Sequence, residues 1–254
     1  MLLHAFPLDK RLWDGVVDAV ADSGWDVVVP DLRGFGESSF GDDGPDDEPS
    51  LTLMARDVLA MLDRIGEHAV VVAGVSMGGY VAMAMLREDP SRVAGLVLVD
   101  TKATADSDEA WGNRLRVAER VLEAGSTEAL ARTMLPSLLG PRTLEERPEV
   151  AEQVRGWIEE ADPAAVAWAQ RAMAERPDSR DDLAAFVGPS LVIFGEDDAL
   201  SPRAEQDLMV AALRDVRVVP LPDVGHLAPI EAPAAVADAL VSFLVDVRRL
   251  PSAD

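Results

Sequence analysis

Cysteine is absent from this 254-residue chain. No disulfide can brace it, no thiolate can hold a metal, and a reducing compartment suits such a sequence. Positive charge is scarce. Lys and Arg number 23 against 46 Asp and Glu, a formal net charge of −23. Such a surface repels nucleic acid and anionic lipid, so neither is expected as a partner. No apolar run approaches the ~18 residues that a membrane span needs. The first residues, Met1 to Pro7, are apolar but lack a basic start and fall short of the ~7–15 residue core of a secretion signal. The expectation is a cytoplasmic protein. Histidine is scarce too: only His4, His68 and His226 are available as a general base.

What is present is a globular balance of 48% hydrophobic and 27% charged residues. The length suits a single α/β unit with an insertion. The acidic cluster Asp42, Asp43, Asp46, Asp47 and Glu48 is interleaved with Gly44, Pro45 and Pro49. It reads as a solvated loop, because nothing fixes those carboxylates around one ion.

Short β-branched runs alternate with helical patterns. The runs cover residues 27–29, 69–75, 93–99, 191–194 and 216–221, with a stub at 2–3. Near-continuous Val and Leu suits strands covered on both faces. Met54, Val58, Met61, Leu62 and Ile65 share one helical face, and Gly66 stops that helix. Val236, Leu240, Phe243, Leu244 and Val247 form another, with Pro233 in its first turn. The alternation predicts a mainly parallel sheet flanked by helices. From 103 to 185 the patterns are helical only. This places an α/β core at 1–102 and 186–254, with a helical cap at 103–185.

The strongest chemical signal is Gly74-Val75-Ser76-Met77-Gly78-Gly79, between a buried strand and an Ala- and Met-rich helix. A serine on a strained strand-to-helix turn projects its hydroxyl from the sheet, and its neighbours two positions away must be nearly free of side chain. The motif alone arises by chance in about one chain in ten of this size; its strand–turn–helix setting makes it specific. A nucleophile needs a base. His226 follows the strand at 216–221 and so lies at the carboxyl end of the sheet, as Ser76 does, whereas His68 precedes a strand and lies at the opposite end. The orienting acid comes from the turn Gly195-Glu196-Asp197-Asp198, again at the carboxyl end, giving the chain order Ser, Asp, His. Asp197, Asp198 and Asp100 all remain open on these grounds.

Five ordered landmarks resemble those of α/β-hydrolases: His4-Ala5-Phe6-Pro7-Leu8-Asp9, Asp31-Leu32-Arg33-Gly34-Phe35-Gly36-Glu37-Ser38, the Ser76 turn, the Asp198 turn and Gly225-His226. Within that superfamily the chain looks most similar to esterases and lactonases of the 3-oxoadipate enol-lactonase kind. The resemblance implies Asp198 as the acid, three residues after Gly195 and four before Pro202. It implies an oxyanion hole from the Met77 and Phe6 N–H groups, a choice that fits Pro7 having no N–H to give. His4 then shapes the loop, and Ala5 stands where glycine is more usual. The implied activity is cleavage of a small carboxylic ester or lactone through an acyl-enzyme, without metal or organic cofactor. Rival readings are a cofactor-free perhydrolase or acyltransferase with the same triad, and a non-enzymatic ligand sensor. The Gly34-Phe35-Gly36 loop lacks the full dinucleotide-binding fingerprint. Trp111, Met134, Trp157, Trp168 and Met173 are candidates for an acyl pocket.

Relative to that family the chain begins about twenty residues late, and its stub at 2–3 stands for a central strand. The expectation is six parallel strands lacking the two amino-terminal ones. Residues 25–29 then form an exposed apolar edge, with a tendency to pair as a homodimer.

Overall fold

The computed structural model describes residues 1–40 and 48–248. Of the acidic cluster, Asp42, Asp43, Asp46 and Asp47 lie outside the described residues. Five strands form one parallel sheet in chain order: β1 (Leu2–Leu3), β2 (Val70–Val75), β3 (Val93–Val99), β4 (Ser190–Gly195) and β5 (Val216–Leu221). Strands β2, β3 and β4 are almost wholly buried, which is why they read as unbroken Val and Leu. The outer strand β5 is largely exposed and carries Arg217 and Pro220, both of which discourage edge pairing.

Helices α1 (Asp14–Asp22), α2 (Leu51–Ile65) and α3 (Met77–Glu88) precede a helical stretch between β3 and β4 that contains α4 (Asp108–Ala124), α5 (Glu128–Leu138), α6 (Pro141–Glu146), α7 (Pro148–Glu160) and α8 (Pro163–Ala174). The remaining helices are α9 (Arg180–Ala185), α10 (Arg203–Ala212), α11 (Ala228–Glu231) and α12 (Pro233–Arg248). One layer joins α1 to α12; the other runs from α2 through α3 and α9 to α10. Within that stretch α4 lies along α8, and α7 packs on α5 and α6. The starts and stops are legible in the residues. Ser50 accepts the Thr52 N–H at the head of α2, and Gly66 ends it at φ 79°. Asp162 accepts the Ala164 N–H ahead of Pro163. No helix among the described residues is long and apolar enough to cross a membrane.

Among the described residues the sheet has five strands where six were expected. Residues 27–29 lie beside β1, but Leu2 donates to the Val28 carbonyl at 2.9 Å and no ladder develops from that bond. A two-residue strand offers too few partners to hold a neighbour in register. Trp25 is half-buried, with the Arg248 guanidinium 4.7 Å above its ring.

Leu96 is fully buried at the centre of β3. Leu96→Ala should therefore cost about 2–5 kcal/mol of stability. Urea unfolding should show a lower midpoint at constant slope, and a loss under about 1 kcal/mol would mean that the sheet centre collapses around the gap.

Candidate active site

Ser76 sits between β2 and α3 with φ 52° and ψ −112°, a backbone conformation that side chains rarely adopt. Two contacts hold it there. Its N–H donates to the Val99 carbonyl at 3.0 Å, and the Thr101 hydroxyl donates to the Ser76 carbonyl at 2.7 Å. The glycines beside it are needed for space: a Cβ on Gly74 would stand 2.2 Å from the Gly78 carbonyl oxygen, and one on Gly78 would stand 2.4 Å from that of Leu3. β2, α3 and β1 thus meet backbone to backbone, and the serine is left at the tip.

His226 and Asp198 meet at the same end of the sheet. The His226 Nδ1 lies 2.8 Å from Asp198 Oδ2, both side chains being almost fully buried. The other Asp198 oxygen accepts the Leu200 and Ser201 N–H groups at 2.8 and 3.1 Å, and the Ser201 hydroxyl donates to Oδ2. Burial pushes the carboxyl up, but the imidazole and these donors outweigh it and hold Asp198 at about 2. An acceptor so placed fixes the proton on Nδ1 and turns Nε2 outward as the acceptor. Asp197, by contrast, is exposed.

Ser76, His226 and Phe6 line one cavity of about 420 Å³ together with side chains of α4, α5 and α8. The Ser76 hydroxyl makes no hydrogen bond among the described residues. No described group accepts from the Phe6 or Met77 N–H, and Met77 opens α3, where backbone donors lack helical partners. His4 is buried within the loop. It accepts the Leu32 N–H at Nε2 (2.8 Å), so Nδ1 carries the proton and donates to the Ala5 carbonyl at 2.9 Å. Burial lowers its pKa. His68 is exposed at the far end.

A profile of the α/β hydrolase fold matches residues 1–233. The chain belongs to the α/β-hydrolase fold family. It is 42% identical to a thermophilic esterase of Thermogutta terrifontis, solved with malate bound; the match covers 97% of this chain and 89% of that one, with a TM-score of 0.92. It is 28% identical to the pimeloyl-[acyl-carrier protein] methyl ester esterase of Aeromonas hydrophila over 96% of this chain and 94% of that protein. To 3-oxoadipate enol-lactonase 2 of Acinetobacter baylyi it is 27% identical, over 82% of this chain and 74% of the other.

In this α/β-hydrolase the loop bearing His226 is held by Glu231 and Leu138, which the sequence did not single out, and by Asp100, which it did. Gly225 and Leu227 donate to Glu231 Oε1 at 3.0 and 3.3 Å, His226 to the Leu138 carbonyl at 3.1 Å, and Ala228 to Asp100 Oδ2 at 3.0 Å. The other oxygens of these buried carboxylates take Gly140 (2.8 Å) and Gly195 (2.8 Å). Asp100 was one candidate acid. It lies instead behind the pair, and burial, with Asp198 nearby, raises its pKa well above the ordinary value. Gln206 joins the serine turn to the acid turn by donating to the Thr101 and Ser201 carbonyls at 3.0 and 2.8 Å. The signal for Glu231 was an acid inside the apolar stretch Leu227-Ala228-Pro229-Ile230.

Of the acyl-pocket candidates, Met134 and Met173 line the cavity. Trp168 packs edge-on against Phe40, Trp157 lies under the Arg11 guanidinium, and Trp111 donates to Glu175. The Gly34–Gly36 turn closes over the Asp31 carboxylate, which accepts the Lys10 and Glu37 N–H groups where a phosphate would need them.

Glu231→Gln leaves one carboxamide oxygen for three N–H groups, so at least one buried donor faces another donor. A loss of about 1–3 kcal/mol in urea unfolding is expected. A change below about 0.5 kcal/mol would show that the loop does not need the carboxylate.

Proposed function

We propose that this hydrolase cleaves a carboxylic ester or lactone of a small molecule by two-step acyl transfer. Ser76 attacks the carbonyl carbon as His226 takes the hydroxyl proton at Nε2. The carbonyl oxygen becomes an oxyanion received by the Phe6 and Met77 N–H groups, at the start of α3 where the helix favours negative charge. Asp198 orients the imidazole and stabilises the imidazolium. Collapse of the tetrahedral intermediate releases the alcohol with the proton from His226. Water, deprotonated by the same imidazole, then attacks the acyl-Ser76 ester, and the acid leaves.

The observation that carries this reading is the buried 2.8 Å contact between Asp198 and His226, opening on the cavity that Ser76 lines. The esterase and lactonase names of the relatives support the bond type. A serine at the turn also argues against haloalkane dehalogenase or epoxide hydrolase chemistry, which needs a carboxylate there.

Ser76→Ala should remove at least about three orders of magnitude of turnover on a chromogenic acyl ester. Retention of more than a tenth of wild-type activity would overturn the assignment. Asp198→Asn should lower turnover at least about a hundredfold and Asp197→Asn no more than about twofold; the opposite ranking would move the acid to Asp197.

The Asp198 carboxylate, with its folded pKa lowered from 3.8 to about 2, contributes stability above its unfolded value. That contribution fades as pH falls through about 2.

A further inference from the structure

The cavity beside Ser76 has an electrical character opposite to that of the molecule. The chain carries a net charge of −23. Yet among the described residues the cavity is lined by three cations, Lys102, Arg114 and Arg120, and by one carboxylate, Asp106. Asp106 is already shared. Arg176 lies 2.7 Å from it and Lys102 3.7 Å away, and the Arg114 guanidinium donates to its second oxygen. Burial opposes its charge, but Arg176 and Arg114 keep it ionised. Arg120 has no ion-pair or hydrogen-bond partner among the described residues.

A second observation points the same way. Gln170 is 5% exposed, and its Oε1 accepts from Arg114 at 3.2 Å. Arg has donors only, so this contact fixes which end of the amide faces it. The Gln170 NH₂ is therefore turned elsewhere, and no described group accepts from it. Gln170 lines the same cavity, as does the face of α4 that carries Arg114 and Arg120. The amide of the buried Gln170 and the guanidinium of the exposed Arg120, in one cavity, have no acceptor for these donors among the described residues.

We propose that the substrate is an ester or lactone bearing a free carboxylate, which Arg120 and the Gln170 NH₂ bind on the cap side while Ser76 attacks the carbonyl at the other end. The lone unpaired guanidinium matches one negative charge, and a hydrogen-bonded fork suits a carboxylate. The local cations also offset the repulsion that the rest of this acidic surface exerts on an anion. The inference rests on Ser76 acting as the nucleophile.

The test pairs ethyl hexanoate with monoethyl adipate, its anionic counterpart, on full-length wild type, Arg120→Ala and Arg120→Lys. The quantity read is the ratio of kcat/KM for the anionic over the neutral ester. It should exceed about ten in wild type, fall at least about tenfold in Arg120→Ala, mainly through KM, and recover in part in Arg120→Lys. A wild-type ratio at or below one overturns the proposal, and so does one that stays within about twofold in Arg120→Ala. A second measurement separates the two readings. A fluorophosphonate should label Ser76, and adipate should slow that labelling more than the neutral hexanamide does, an advantage lost in Arg120→Ala. Absence of labelling overturns the Ser76 mechanism and this inference with it. Labelling on which adipate has no advantage overturns the carboxylate site alone.

Discussion

Four successive backbone N–H groups, from Gly225 to Ala228, emerge beyond β5 with no strand or helix to receive them, and all are buried. Left without acceptors, each would cost about 1–3 kcal/mol. Glu231 takes two, Asp100 one, and the Leu138 carbonyl one. The same two carboxylates reach across to Gly195, where the acid turn begins, and to Gly140, just past α5. Sterics reinforce the arrangement: a Cβ on Gly225 would lie 2.2 Å from the Gly140 nitrogen, and one on Gly195 would lie 2.2 Å from the Gly225 carbonyl oxygen. Three loops from distant parts of the chain are thus locked backbone to backbone, and the 2.8 Å contact of His226 with Asp198 follows from that lock.

The serine turn is built by the same means. Its positive φ is a strain of roughly 1–3 kcal/mol, offset by the bonds from Ser76 to Val99 and from Thr101 to Ser76. Thr101 is in turn tied through Gln206 to Ser201, and Ser201 donates to Asp198. Strain at Ser76 and order at Asp198 belong to one hydrogen-bonded chain running along the carboxyl edge of the sheet. Arg114 of α4, Met134 of α5 and Gln170 of α8 line the cavity at that edge.

The sheet was legible because its inner strands are covered on both faces and so cannot disguise their apolar runs; Ser76 was legible because glycines at 74 and 78 leave few other reasons for their presence. His226 followed from its end of the sheet. The residues alone could not separate Asp197 from Asp198 or Asp100, since all three follow strands at the same end and differ only in which way a turn presents them. Glu231 and Gln206 were invisible for a different reason. They bind backbone groups, and no pattern of side chains announces which N–H groups a fold will strand. Residues 27–29 misled because β-branched composition reports fitness for a pleated surface and not the presence of a long enough neighbour; the two residues of β1 do not supply one.

The central claim is covalent: the acyl group passes through the hydroxyl of Ser76. Quenched-flow trapping of the enzyme with a chromogenic ester, followed by peptide mass analysis, tests it most directly. The account predicts a burst of leaving group close to one equivalent, with the acyl mass on the peptide containing Ser76. A linear release with no acylated peptide while deacylation has been slowed, or an acyl group carried by any other residue, would contradict it.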